Sequence, residues 1–307
     1  MPSWNELISE FNQQPVEYLR TKLQSSLQKI SNLRGGRNVL FYASSFLQKN
    51  EIPPYLTQIT HEDINGVMST IHQMGFTKGL TLVLHTPGGI TNAAESLVEY
   101  MHTKFDYIEV IVPTYAMSAG TMISLASNLI IMGKQSQLGP IDPQMPVAGR
   151  YVSAQSIVDQ FEMAKKEISE APSLANVWFP ILQTVGPALL KEALNALEYS
   201  EKIVGEWLAK RMFSSDPDRE NKSKAVAHFF RDAAVHLSHG SRISKERARE
   251  TGVKVEDLEN DQELQDAVLT AYHLMTIAFE KSPAAKVIES SHDRRWIKNY
   301  LGPQVNR

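Results

Sequence analysis

His85-Thr86-Pro87-Gly88-Gly89, Tyr115-Ala116-Met117-Ser118-Ala119-Gly120-Thr121 and Leu138-Gly139-Pro140-Ile141-Asp142-Pro143-Gln144 punctuate the stretch whose reading decides the fold. The apolar run Leu80 to Leu84 precedes the first and Ile108 to Val112 the second. Both are short, sharply bounded and suited to buried strands. Gly88-Gly89 lets a bare backbone with free N–H groups approach a ligand closely. Ser118 stands among small residues where a strand gives way to a helix beginning near Ala119, a junction that exposes a hydroxyl and favours negative charge beside it.

The alternation continues on both sides. Asn38 to Ala43 and Leu129 to Met132 read as strands; His61 to Met74, Asn92 to His102 and Ala119 to Asn128 read as helices. Short apolar strands alternating with helices give βαβ units and a mostly parallel sheet, an α/β fold. Ligands of such sheets bind at strand carboxyl ends, where Gly88-Gly89 and Ser118 fall. Upstream, Val16, Leu19, Leu23, Leu27 and Ile30 make Pro15 to Leu33 an amphipathic helix closed by Gly35-Gly36. Downstream the pattern is helical: Ser153 to Ser169, then Ser173 to Phe213 with interruptions at Pro180 and Gly186-Pro187. Lys222 to His239 follows, stopping at a left-handed Gly240, then Ser244 to Thr251 and Gln262 to Glu280. The expected division is an N-terminal helical segment (1–35), an α/β core (36–170), a helical insertion (171–215) and a helical C-terminal part completing the site (216–307).

Composition narrows the chemistry. With 307 residues, 42% hydrophobic and 21% charged, the chain can bury a sizeable core. Its net charge of -3 gives no strong nucleic-acid signal. The absence of cysteine excludes disulfides, thiolate metal sites and a thiol nucleophile. Residues 1–29 lack a signal pattern and no run suits a membrane span, so a cytoplasmic protein is expected. The histidines show no metal-ligand spacing, and neither a metal nor another cofactor is expected. His85, ending a strand, is expected to shape the Gly-Gly loop.

Taken together, the three motifs resemble those of the serine dehydrogenase proteinase family, which has the Clp-peptidase/crotonase fold and is distantly related to the Clp proteolytic subunit and signal peptide peptidase A. The resemblance covers about residues 36–165 and, more thinly, 220–258. It implies a serine peptidase whose catalytic residues run Ser, Asp, His along the chain: Ser118 as nucleophile, Asp142 as orienting acid and His239 as base. A serine attacks an acyl carbon only if its proton is removed and the oxyanion stabilised. The N–H groups of Gly89, with Gly88, and of Ala119 suit the second task. Where relatives read Thr-His-Asp-Tyr-Pro-Ile, this chain reads Ser238-His239-Gly240-Ser241-Arg242-Ile243. His236 is an alternative base, and Lys165 or Lys166 would serve a Ser-Lys dyad like that of signal peptide peptidase A.

Each residue also has a plainer reading. Gly88-Gly89 could be a turn before a helix capped by Asn92 and Glu95, Ser118 a helix cap, Asp142 part of an Asp-Pro turn and His239 a solvated helix end. Lys165 and Lys166 fit the solvated face of their helix. The resemblance implies a peptide or unfolded-protein substrate and a homo-oligomer. The competing functions are a crotonase-type acyl-CoA enzyme, using the same backbone donors without Ser118, and a catalytically inactive scaffold or sensor.

Overall fold

The computed structural model describes residues 3–12, 16–183, 186, 188–236 and 238–302. Pro15 and Pro187 lie outside the described residues. From the N-terminus come α1 (Trp4–Asn12), α2 (Val16–Leu33), β1 (Asn38–Ser44), α3 (Asp63–Ile71), β2 (Leu80–His85) and α4 (Thr91–Lys104). Next are β3 (Ile108–Val112), β4 (Tyr115–Ala116), α5 (Ala119–Leu125), β5 (Leu129–Met132) and β6 (Gln137–Leu138). The middle of the chain forms β7 (Gln144–Val147), β8 (Arg150–Ser153), α6 (Ala154–Glu170), α7 (Ala175–Gln183), α8 (Leu189–Lys210), α9 (Arg219–Arg231) and α10 (Ala233–His236). The last elements are α11 (Lys245–Glu250), β9 (Val255–Asp257), α12 (Gln262–Lys281), β10 (Ala284–Ser290) and β11 (Arg295–Asn299). They form two compact units: residues 1–138 with 242–307, and residues 139–241.

In the first unit a seven-stranded sheet has the order β11-β10-β1-β2-β3-β5-β9. The five strands from β1 to β9 in that order are parallel, while β10 and β11 add an antiparallel edge. Phe41, Val83, Ile111 and Ile131 lie side by side across four strands and share one core with Leu23, Leu27 and Ile30 of α2 and Val268, Met275 and Phe279 of α12. The alternate residues Tyr42, Leu82, Val110 and Ile130 are buried as well. Strands buried on both faces have no polar side, so they read as continuous apolar runs.

Past their ends in the main sheet, the chains leaving β2 and β3 stay together. Thr86 N–H donates to Tyr115 O at 3.0 Å and Met117 N–H donates to Thr86 O at 3.1 Å, while β4 pairs in parallel with β6. This extension delivers Gly88-Gly89 and Ser118 beyond the carboxyl ends of their strands.

The C-terminal part departs from the helical expectation for 216–307, since β9, β10 and β11 are strands. Lys286, Glu289 and Ser290 break the apolar pattern of β10, yet all are buried. Lys286 donates to Asp63, and Arg295 on the adjacent strand and the distant Gln24 donate to Glu289, so both charged side chains are satisfied. The expected insertion, 171–215, also changes: the compact unit is 139–241 and contains both Asp142 and His239.

That second unit opens with an antiparallel hairpin, β7 against β8, turned by Ala148 and Gly149 in left-handed conformation. Ser153 caps α6 by accepting a hydrogen bond from Gln155 N–H at 3.2 Å. Ala154, Ile157, Leu189, Ala193 and Leu197 form a small core. Pro180, expected to interrupt its helix, lies inside α7. The helix expected over Lys222 to His239 instead ends at Arg231, where Asp232 turns extended, and Gly240 is not left-handed. His239 therefore stands on a turn, in which Ser241 N–H donates to Ser238 O at 3.0 Å, and not at a helix end.

Candidate active site

Ser118 precedes α5 with φ 51° and ψ -116°, a conformation that side-chain-bearing residues seldom adopt. Gly120 N–H donates to Met117 O at 2.8 Å, closing a turn with Ser118 in the position where a type II′ turn favours glycine. Such strain costs about 1–3 kcal/mol and persists only where the surroundings impose it. The side chain of Ser118 makes no capping hydrogen bond to the helix, so its presence there is not explained by capping. Half-buried Ser118 resembles the strained strand-to-helix turn that presents a nucleophilic serine in α/β-hydrolase folds.

The glycine loop lies against this turn. Gly88 has φ 96°, and a Cβ there would come within 2.6 Å of Met117 O and 2.7 Å of Ser118 Cβ. Only a residue without Cβ allows the two loops to approach so closely. Across the loop, Ile59 N–H donates to Gly88 O at 2.8 Å and Ile90 N–H donates to Ile59 O at 3.0 Å. Of the two glycine N–H groups, that of Gly88 donates to Thr86 Oγ1 at 3.2 Å, which leaves Gly89 the better donor for a ligand. The N-cap of α4 is Ile90 with no side-chain cap bond, so the Asn92-Glu95 capping arrangement does not form.

His85 is buried beside Phe46, Tyr115 and Tyr272, and the Thr114 hydroxyl lies 3.0 Å from its Nδ1. Burial pushes its pKa from 6.5 down to about 3, which keeps the ring neutral and unsuited to act as a base near neutrality. The unfolded ring takes up a proton near pH 6.5 and the folded ring only near 3, so the unfolded state binds more protons throughout that window. His85 should therefore withdraw stability as pH falls, by at most about 1.4 kcal/mol per pH unit. Urea unfolding at pH 7, 6 and 5 should show a shallower pH dependence for His85→Phe than for wild type; parallel profiles would contradict this.

In the second unit, His239 Nδ1 lies 2.7 Å from Asp142 Oδ1. The acid side chain is 2% exposed and the imidazole 32%, so a shielded carboxylate holds a ring that still reaches solvent. Asp142 Oδ2 accepts a hydrogen bond from Gln144 Nε2 at 2.7 Å, fixing the carboxylate from its other side. Neighbouring backbone bonds, Ile141 N–H to Phe230 O and Ala154 N–H to Pro143 O, both 2.8 Å, hold the segment on which Asp142 sits. The pair has the arrangement in which a carboxylate selects the imidazole tautomer that leaves Nε2 able to accept a proton.

The other candidate bases sit differently. His236 is buried, with Nε2 2.7 Å from Phe229 O. Lys165 is exposed with its ammonium 3.7 Å from Glu162, and Lys166 is exposed on the same helix. The structure thus brings Gly88, Ser118 and Ala119 together in one unit and Asp142 with His239 in the other. Sequence reasoning gave no role to Gln144 or Ile59, whose contacts only folding creates. Among the described residues no group of three His, Asp or Glu side chains could hold a metal, and no helix is long and apolar enough to cross a membrane.

Comparison with known proteins places the chain in a family. One uncharacterized protein of Methanocaldococcus jannaschii is 30% identical over 231 residues, 75% of this chain and 72% of its own length. A second from the same organism is 31% identical over 156 residues, 50% of this chain and 52% of its own. A mutant of the 1510-N membrane-bound stomatin-specific protease aligns with 65% of this chain and 75% of its own, at 18% identity and a TM-score of 0.37. The sequence profile of ClpP-like SDH-type serine proteinases matches residues 10–275, supporting a serine peptidase, a hydrolase, on a Clp-like α/β fold. Because that match spans nearly the whole chain, the protein belongs to the ClpP-like SDH-type serine proteinase family.

Proposed function

We propose that this protein is a serine endopeptidase acting on peptides or unfolded protein through an acyl-enzyme. The observation that carries the reading is the backbone at Ser118, strained, uncapped and pressed against a glycine loop. In this reading His239 Nε2 takes the Ser118 hydroxyl proton as Oγ attacks the scissile carbonyl carbon. Asp142 orients the ring and stabilises its cation. The N–H groups of Gly89 and Ala119 meet the oxyanion. Collapse of the tetrahedral intermediate breaks the C–N bond, and His239 passes its proton to the leaving amine. Water, deprotonated in turn by His239, then hydrolyses the ester and restores Ser118. A homo-oligomer belongs to the same reading and rests on the family resemblance.

Fluorophosphonate labelling of the purified protein, read by intact mass and peptide mapping, tests it. One adduct on Ser118, absent from folded Ser118→Ala, is expected. Folded wild-type protein that takes no label would favour the scaffold or acyl-CoA readings, and binding of coenzyme A would then decide between those two.

A further inference from the structure

Lys286 of β10 and Asp63 of α3 form a fully buried ion pair within the first unit. The ammonium donates to Asp63 Oδ1 at 2.7 Å, Asp63 Oδ2 at 2.8 Å and the backbone carbonyl of Gln58 at 2.6 Å. Asp63 Oδ2 also accepts from Tyr42 Oη at 2.7 Å and Thr60 N–H at 2.9 Å. Gln58 and Thr60 flank Ile59, the residue that grips both sides of the Gly88–Gly89 loop. Burying two charges is costly, and apolar residues of similar volume often fill such a site with equal or greater stability. They could not direct the Gln58 carbonyl or the Thr60 N–H.

That direction matters at one peptide unit. No cis peptide occurs among the described residues, so Gly88 C=O and Gly89 N–H lie in one plane and point in opposite directions within it. The bond drawing Gly88 C=O toward Ile59 therefore turns Gly89 N–H away from it. We infer that the buried Lys286–Asp63 pair, with Tyr42, is a positioning device that fixes Ile59 and through it the orientation of the Gly89 oxyanion donor. The inference rests on the peptidase reading above, in which Gly89 meets the oxyanion. Lys286, Asp63 and Tyr42 are positioning residues, acting through Ile59.

The test compares wild type with the double variant Lys286→Met/Asp63→Leu, which leaves no lone buried charge, and with the milder Tyr42→Phe. Leu27→Ala, a buried change on α2, controls for general loss of stability. Amide exchange at Ile59 and Ile90, whose N–H groups fasten the loop, should quicken about tenfold in the double variant beyond any change in Leu27→Ala. The limiting rate of Ser118 phosphonylation should fall about tenfold to hundredfold, with the fluorophosphonate concentration for half-maximal rate unchanged. Tyr42→Phe should move both readouts the same way by a smaller factor, and it decides alone if the double variant does not fold. Unchanged exchange, or unchanged phosphonylation in a protein whose wild type labels, overturns the inference. Wild type that does not label removes the peptidase reading, and the exchange measurement still decides whether the pair positions the loop.

Discussion

Replacing His239 by alanine is expected to lower kcat for peptide hydrolysis by about 10⁴-fold or more, with KM changed little. In the proposed mechanism the imidazole is the group that accepts the Ser118 proton as the bond to the acyl carbon forms. Asp142→Asn should cost about as much by a different route. An amide can donate to Nδ1 and stabilise the tautomer that carries its proton on Nε2, where it cannot accept another. Removing the ring leaves the Asp142 carboxylate, 2% exposed, with Gln144 as its remaining side-chain donor, so urea unfolding of both variants must accompany the kinetics to separate lost activity from lost fold. Steady-state kinetics on an unstructured protein substrate, beside fluorophosphonate labelling, check both variants. Labelling that survives in both would move the base to Lys165 or Lys166.

The second large effect is expected at Gly88. A methyl group there would sit 2.6 Å from Met117 O, 2.7 Å from Ser118 Cβ and 3.1 Å from Ala119 N. Backbone must move, either in the glycine loop or in the Ser118 turn. Displacement of a reacting group by about 1 Å can cost 10²-fold, so Gly88→Ala should lower kcat/KM by about 10² to 10³-fold. Gly252→Ala separates this clash from backbone strain: its φ, 95°, nearly matches the 96° of Gly88, with nothing within 4 Å of the added carbon. Both variants should lose about 1 kcal/mol or more in urea unfolding, but only Gly88→Ala should lose activity. Equal activity in the two would show that the loops need not approach so closely.

Much of the parallel sheet was legible because β1, β2 and β3 are buried throughout and β5 along all but its first residue, and all four contain apolar runs. The Ser118 junction could be located from the same strand-helix alternation, with small residues marking the turn. Its left-handed backbone could not, since a serine before a helix is ordinarily read as a cap. The pairing of Asp142 with His239, expected from the family resemblance, depends on folding that brings residues 97 apart in sequence to 2.7 Å. Local periodicity could not assign β10, because its lysine and glutamate lack apolar character and owe their burial to distant partners.

The sequence by itself determined the alternating α/β core, the small-residue junction that carries Ser118, the glycine loop and, with its lack of cysteine, the exclusion of thiol chemistry. These follow from periodicity, chain stiffness and side-chain chemistry, which act over a few residues. Only the tertiary structure decided that Gly88 lies against Ser118, that Gly89 is the glycine with the freer N–H, and that Lys286 and Asp63 bond the residues on either side of Ile59. Hydrogen bonds and desolvated charges depend on positions in space, so residues far apart along the chain acquire these relations only when it folds.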